Sequence, residues 1–289
     1  MILAGSLVGL ISSYFGVGAC FIMVPVIIYF LESTYGVSPS LAPLIAFGTS
    51  MAVVVPVALS GVLRHRNELG KKGLSFPVKH YLSFGLPVGL GSFIGAIFTF
   101  ILFTSFRTFA GILLKTAYGL LCLLITYRFI VAKPIQIKDL KAPRVSKYAF
   151  GGLFSGMLAH FIGIGGGSIY VPILNRILNI PIHLAIPLSL ATMVIGSSIG
   201  SASFACLGHI DQIHHTAAYP LYTFGWFSLI AFLLIGIPSI IMAQVGPYLS
   251  QRTPPQKFKV LLAILYAYIG VRLTVNGIFQ LQGLPPPLP

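Results

Sequence analysis

The sequence predicts an all-α, polytopic membrane protein, and three observations carry this prediction. Only 8% of the 289 residues are charged, whereas soluble domains carry about 25%. The apolar residues gather in long segments, and part of the pattern recurs inside the chain. A chain with so little charge cannot cover a water-facing surface, which excludes a soluble enzyme, a disordered region and a disulfide-stapled secreted domain.

The charge balance is strongly positive, with 18 Lys and Arg against 4 acidic residues. In a soluble protein such a balance would suggest nucleic-acid binding. Here the positive residues lie between apolar runs, which is typical of loops that orient a membrane protein, so no nucleic-acid partner is expected. The three cysteines, Cys20, Cys122 and Cys206, show neither metal-ligand nor disulfide spacing and are predicted to be packing residues.

Eight apolar segments are long enough to cross a bilayer, which requires about 20 residues each. Because no water serves the backbone at that depth, the segments are predicted to be helices. The proline-rich residues 282–289 are predicted to form a disordered tail. The segments are 1–31, 40–63, 77–104, 107–131, 148–178, 183–208, 216–249 and 257–281.

An internal repeat relates the two halves of the chain. Ala42 and Thr49 recur as Ala185 and Thr192. We therefore predict two homologous copies of four segments each, residues 1–131 and 148–281, joined by a basic cytoplasmic linker at 132–147. At an offset of 147, the residues Gly5, Gly9, Gly16, Gly18 and Pro25 recur as Gly152, Gly156, Gly163, Gly165 and Pro172.

The first segment of each copy is predicted to be a broken or re-entrant helix. Its roughly 31 residues would span about 46 Å as a straight helix, more than the hydrocarbon core of about 30 Å. If both first segments return to the side they entered from, one side of the membrane carries fifteen loop Lys and Arg and the other carries one. The positive-inside rule favours this division, which makes the copies inverted with both termini outside. Parallel copies with eight crossings, divided eleven to five, remain the alternative.

Broken helices suit the binding of an anion. A helix that starts inside the membrane leaves backbone N–H groups free, and glycine lets a ligand approach them closely. Hydroxyl groups add donors, and a histidine in the motif could bind the anion or carry a proton. Each type also has a structural alternative: close helix packing for glycine, a bond to the preceding turn for Ser and Thr, and a packed core position for histidine. The predicted substrate-binding residues are Gly16, Gly18, Thr49, Ser50, His160, Gly163, Gly165, Gly166, Gly167, Ser189 and Thr192.

Charged residues inside the apolar segments are few. The four acidic residues, Glu32, Glu68, Asp139 and Asp211, lie at segment ends or in loops, which disfavours a carboxylate relay and suits an anion path. Lys115 and Arg272 lie within segments. Either could attract an anion, but reaching towards the lipid headgroups is the favoured interpretation for both.

The pattern Gly-x3-Gly-x6-Gly-Ile-Gly-Gly-Gly-x4-Pro, from Gly152 to Pro172, resembles the sulfite exporter TauE/SafE family, also called toluene-sulfonate uptake permeases. The degenerate copy from Gly5 to Pro25 and the run from Ser60 to His65 fit the same family. The resemblance implies a plasma-membrane transporter for a small sulfur-containing anion, such as sulfite, sulfoacetate or a related organosulfonate, without a cofactor or resident metal. Ala19 and Cys20 replace two of the family's glycines, so the copies need not contribute equally.

The sequence also bears on two other functions, metal or small-ion transport and membrane-enzyme activity. A transporter of a transition metal or another small ion is suggested by the loop cluster of His209, Asp211, His214 and His215, although a solvated loop explains it more simply. A membrane enzyme is disfavoured, because the chain has neither a His-Glu-x-x-His run nor a Gly-x-Ser-x-Gly elbow. The sequence does not indicate an oligomeric state.

Overall fold

A computed structural model describes residues 1–38, 41–131, 144–214, 216, 219–284 and 287, apart from the side chains of residues 107–111, 113–115, 117–118 and 128–129. This part of the chain is helical except for loops and one short β-hairpin. The all-α prediction is therefore confirmed. The helices are α1 (Ile2–Phe15), α2 (Cys20–Tyr35), α3 (Ala42–Gly70), α4 (Val78–Ser105), α5 (Arg107–Val131), α6 (Val145–Ile162), α7 (Gly167–Pro172), α8 (Ile182–His214), α9 (Leu229–Met242), α10 (Val245–Ser250) and α11 (Pro255–Leu281).

Five stretches of the described chain are long and apolar enough to cross a membrane: α3, α4, α8, α9 together with α10, and α11. The 25-residue α5 packs along α11. In contrast, α1 and α2 are only 14 and 16 residues long, and α7 continues into a π-helical turn at Ile173–Ile177. Segments 1–31 and 148–178 are thus each divided in two, because glycines in left-handed conformation end α1 and α6.

The prediction of a helical segment from residue 216 is wrong at its start. Residues Thr223–Phe224 and Phe227–Ser228 form an antiparallel β-hairpin, and the helix begins only at Leu229. Gly225, at the turn, has φ 54°, and a side chain there would collide with the backbone of α8. The turn places Trp226 against Gly48 of α3 and Gly208 of α8, where its side chain is buried, whereas Leu221, Tyr222 and Phe224 stay exposed.

Glycines bring helices of the two halves into close contact. In the pair α4 and α6, a Cβ on Gly152 or Gly156 would collide with the backbone of Phe84 or Val88. In the pair α1 and α9, Gly5 and Gly9 meet Ile235 and Ser239 in the same way. The packing role predicted as an alternative for these four glycines is therefore the one that the structure shows, and small residues are what allows membrane helices to approach so closely.

The centre of the molecule is formed by α3 and α8, which pack along each other and are mostly buried. The segment α1–α2 contacts α3, and α7 contacts α8, so both divided segments lie against this central pair. Helix α6 begins at Val145, inside the predicted linker. Residues 132–143 of that linker, and residues 285–286 and 288–289 of the predicted tail, lie outside the described residues.

Candidate functional site

Each divided segment contains a short break in which the backbone turns left-handed three times. In the first break, Gly16, Gly18 and Ala19 have φ of 71°, 77° and 49°. In the second break, Gly163, Gly165 and Gly166 have φ of 76°, 68° and 86°. Each residue of the first set lies 147 positions before its counterpart in the second. The two breaks therefore share a backbone geometry that strongly favours glycine.

The two breaks lie directly against each other. A Cβ on Gly167 would be 2.5 Å from the carbonyl oxygen of Gly16, and a Cβ on Gly165 would be 2.7 Å from Sγ of Cys20. All of the break residues are buried. The structure thus brings together the six predicted glycines, which belong to segments almost 150 residues apart.

Several backbone N–H groups in the breaks lack a backbone acceptor in the described part of the chain. Among the described residues, the N–H groups of Gly18, Ala19, Gly165 and Gly166 form no backbone hydrogen bond, whereas those of Gly16 and Gly163 bond the last turn of the preceding helix. Successive free amides in a left-handed turn form a concave, positively polarised surface that can hold an anion. Buried N–H groups without partners are rare in proteins, so these groups are candidates for contact with a ligand.

Hydroxyl groups of α8 hold the carbonyl side of both breaks. Ser189 Oγ donates a hydrogen bond of 2.8 Å to the carbonyl oxygen of Gly16. Ser197 Oγ lies 3.4 Å from the carbonyl oxygen of Gly165. Sequence reasoning selected Ser189 and assigned Ser197 to packing. The only sequence feature that pointed to Ser197 was its place on the small-residue face of α8. The Thr192 hydroxyl is buried on the same helix without a hydrogen-bond partner among the described residues.

The hydroxyls predicted in the first copy take different places. Ser50 Oγ donates to the carbonyl oxygen of Phe47 at 3.0 Å and also contacts the Cys20 thiol, so it lies beside the first break. Thr49 Oγ1 accepts a hydrogen bond of 2.9 Å from the backbone N–H of Ser228, just before α9. The Thr49 hydroxyl is therefore occupied in anchoring the β-hairpin.

His160 is buried beside the second break, near the end of α6. Its Nδ1 lies 3.0 Å from the carbonyl oxygen of Gly156, one turn earlier. Its ring fills the space left by the missing side chain of Gly200 on α8. These contacts fit the structural alternative for His160 and show why a smaller or larger residue would disturb the approach of α6 to α8.

A cavity of about 670 Å³ begins at the breaks and runs between α2 and α11. Its wall is mostly apolar, and it includes Cys20 and Ile164, which are the neighbours of Ala19 and Gly165. The polar side chains that line it are those of Glu32, Arg272, Asn276 and Gln280. Arg272 lines this cavity, and its reach towards the headgroups stays a prediction. The side chain of Lys115 lies outside the described residues.

The described carboxylates lie away from the breaks. Glu68, near the end of α3, is 3% exposed and forms ion pairs with Arg64, Lys71 and Arg252 at 2.9 to 3.2 Å. In the adjacent loop, burial and the nearby Arg252 guanidinium lower the pKa of Lys72. Asp139 lies outside the described residues.

The residues that suggested a metal do not lie in a loop: His209, Asp211 and His214 are on the last turns of α8, and His215 lies outside the described residues. Asp211 accepts a hydrogen bond of 2.7 Å from the Tyr219 hydroxyl, and the His209 ring stacks on Phe224. Within the described part of the chain, no three His, Cys, Asp or Glu side chains are grouped as metal ligands would be.

The fold and the site define a multi-pass α-helical membrane protein in which two glycine-rich helix breaks contact each other beside a mostly apolar cavity. The family model of the sulfite exporter TauE/SafE family matches residues 1–273, and the chain belongs to this family. The protein is therefore a membrane transporter and not an enzyme, and it resides in a lipid bilayer.

Three curated relatives agree with this assignment, and each is named as a probable membrane transporter protein. One from Methanocaldococcus jannaschii is 24% identical over 94% of this chain and 93% of its own length. YunE of Bacillus subtilis is 23% identical over 97% of this chain and 98% of its own. One from Haemophilus influenzae is 27% identical over 94% of this chain and 96% of its own. No solved structure shows a significant match to the chain.

Proposed function

We propose that this protein transports a small sulfur-containing anion, such as sulfite, sulfoacetate or a related organosulfonate, across the plasma membrane. The observation that carries the proposal is the pair of contacting breaks, in which Gly18, Ala19, Gly165 and Gly166 leave buried N–H groups without backbone acceptors. Such groups attract negative charge, and their burial strengthens the attraction because the surrounding dielectric constant is low.

We further propose that the two copies are inverted. Lys147 Nζ, at the start of α6, donates to the carbonyl oxygen of Ile177 at 2.9 Å. The second divided segment therefore ends close to where it begins, as a re-entrant hairpin does. With three long helices following each hairpin, each copy crosses the membrane an odd number of times, and an odd number gives inverted copies. Tags on both termini should then be accessible from outside the cell; a cytoplasmic C-terminus would contradict this topology.

Within this arrangement, the anion lies against the glycines of both breaks, between the two copies. Ser50, Ser189 and Thr192 surround the breaks and remain the proposed hydroxyl donors. Thr49 and His160 support the same region through their bonds to Ser228 and Gly156. Of the three hydroxyls, that of Thr192 has no hydrogen-bond partner among the described residues and is free to donate. Ser50 and Ser189 would donate to the anion on releasing the carbonyl oxygens of Phe47 and Gly16.

The proposal is tested by thermal-shift and uptake measurements on the purified protein. The panel contains sulfite, sulfate, thiosulfate, sulfoacetate, taurine and aromatic sulfonates, with Zn²⁺, Ni²⁺ and Na⁺ for the competing function of a metal or other small-ion transporter. We expect at least one sulfur-containing anion to raise the unfolding temperature and to enter proteoliposomes, because a ligand stabilises the state that binds it. Stabilisation by cations alone would contradict the proposal.

A further inference from the structure

The cavity between α2 and α11 contains one cation, and nothing in the family assignment explains it. We propose that Arg272 binds the charged head of the transported anion, and that the apolar wall of the cavity holds the rest of an organic monoanion. This inference rests on the proposed function, since it concerns the anion that reaches the breaks.

The charge of Arg272 has no partner in the described part of the chain, where it forms neither an ion pair nor a hydrogen bond. Guanidinium remains protonated at every physiological pH. The single acidic residue among those lining the cavity is Glu32, which is exposed and lies twelve residues after Cys20 along α2. Arg272 is partly buried beside mostly apolar side chains, so an anion from outside the chain would supply the charge partner that the described residues do not.

The polar residues of α11 form a line along the cavity. Arg272, Asn276 and Gln280 are four residues apart, which places them on one face of the helix. Arg272 is nine residues from the end of α11 at Leu281, or about 14 Å along the axis. Tyr266, six residues before Arg272 on α11, donates a hydrogen bond of 2.7 Å to the carbonyl oxygen of Ser168, next to the second break. Along α11, Arg272 is therefore the nearest of the three to the breaks, and Gln280 is nearest the helix end.

The shape of the cavity indicates the class of ligand. Opposite this polar line stand apolar side chains of α2, among them Phe21, Val24 and Ile28, with Phe47 and Ile164 nearer the breaks. A volume of about 670 Å³ is in the range of pockets that enclose a drug-sized organic molecule, which is roughly 300–1,000 Å³. A bare oxyanion would leave most of this apolar surface uncovered. An anionic head with an apolar body would cover it.

The test measures ligand affinity in detergent and uptake into phosphatidylcholine vesicles for Arg272→Gln, Arg272→Lys and the wild type. The probes are benzenesulfonate, benzoate and sulfite. Arg66→Gln is the matched control, because Arg66 is an exposed cation at the end of α3, away from the cavity. We expect Arg272→Gln to raise the Kd for benzenesulfonate about tenfold or more, since hydrogen bonds to charged groups are worth about 1.5–3 kcal/mol. Arg272→Lys should recover part of the loss, and Arg66→Gln should match the wild type.

Each outcome separates the two proposals. Equal affinity in the wild type and a folded Arg272→Gln variant would overturn the role of Arg272 and leave sulfur-anion transport standing. Binding of benzoate but of no sulfur-containing anion, with loss in Arg272→Gln, would overturn the substrate class and support Arg272. Binding of none of the probes would overturn both. If Arg272→Gln instead loses only co-purified phosphatidylglycerol, the cavity is a lipid site and the inference is wrong.

Discussion

The two breaks share their backbone but differ in what their side chains do. In the second break, glycine at 165, 166 and 167 leaves no side chain at all. In the first, the counterparts are Gly18, Ala19 and Cys20. Cys20 lies over Gly165 and lines the cavity, whereas Gly167 is covered by the first break. The first break therefore places the Cys20 side chain on the cavity wall. The second break has no side chain at the equivalent position, Gly167, and the first break packs directly against it.

This difference shows that two segments can share a backbone geometry while their side chains differ in chemistry. Left-handed backbone is costly for residues with a Cβ, by roughly 1–2 kcal/mol. Ala19 bears such a cost in the first break, where the left-handed backbone is kept although the residue is not glycine. In the second break, neighbouring atoms occupy the space that a side chain would need. The two positions can therefore be exchanged to test which break tolerates change.

The largest effect is expected at Gly167. Gly167→Val would place a Cβ within 2.5 Å of the Gly16 carbonyl oxygen and 2.6 Å of the Val17 carbonyl carbon, and a backbone cannot move aside cheaply. We expect the breaks to separate and uptake to fall below about a tenth of wild type, in line with overpacking costs of about 1–3 kcal/mol or more. Proteoliposome uptake is the measurement.

The matched control for Gly167→Val is Cys20→Val, because Cys20 holds the equivalent position and already carries a side chain. Cys20→Val should express as folded protein at near wild-type levels. If Gly167→Val transports as well as the wild type, the close contact between the breaks is not required.

An intermediate effect is expected from exchanging the third left-handed residue of each break. Gly166→Ala adds a Cβ at φ 86° that collides with the Tyr170 ring, whereas Ala19→Gly relieves a φ of 49°. We expect Gly166→Ala to lower the free energy of unfolding by about 1–3 kcal/mol, and Ala19→Gly to change it by less than about 1 kcal/mol. Denaturation in detergent compares the two variants, and equal losses would show that the breaks are equivalent after all.

The smallest effect is expected from the α8 hydroxyls. Ser189 donates to the first break at 2.8 Å, whereas Ser197 lies 3.4 Å from the second. Ser189→Ala should lower the free energy of unfolding by about 0.5–1.5 kcal/mol, the usual net value of a hydrogen bond, and Ser197→Ala by less. Thermal unfolding of the two single variants measures this, and a larger loss from Ser197→Ala would reverse the order of the two contacts.

Much of the architecture was predictable because long apolar runs identify membrane helices in a sequence. The glycine motifs also identified where helices stop, since Gly16 and Gly163 end α1 and α6. The hairpin before α9 was missed because Trp226 and its apolar neighbours resemble a span when only hydropathy is considered. What identifies the turn is Gly225, whose role depends on its contact with α8.

The site was predictable for its backbone and much less so for its side chains. Glycine spacing alone predicts breaks, and all six glycines lie at the two contacting breaks; their binding of a substrate stays a prediction. The place of Arg272 on a cavity wall was not predictable, because nothing in the residues around it shows that α2 lies opposite. Ser197 was assigned to packing for a similar reason, since its partner Gly165 is on another helix.

By itself, the sequence determined that this chain lives in a bilayer, that its helices are long and that two of them must break, because composition and glycine content act locally along the chain. Only the tertiary structure decided that the two breaks face each other and that α11 lies beside α2. It also placed the Arg272 guanidinium on the wall of the cavity between those two helices. These features depend on contacts between segments far apart in the chain, and such contacts cannot be recognised from the residues of either segment alone.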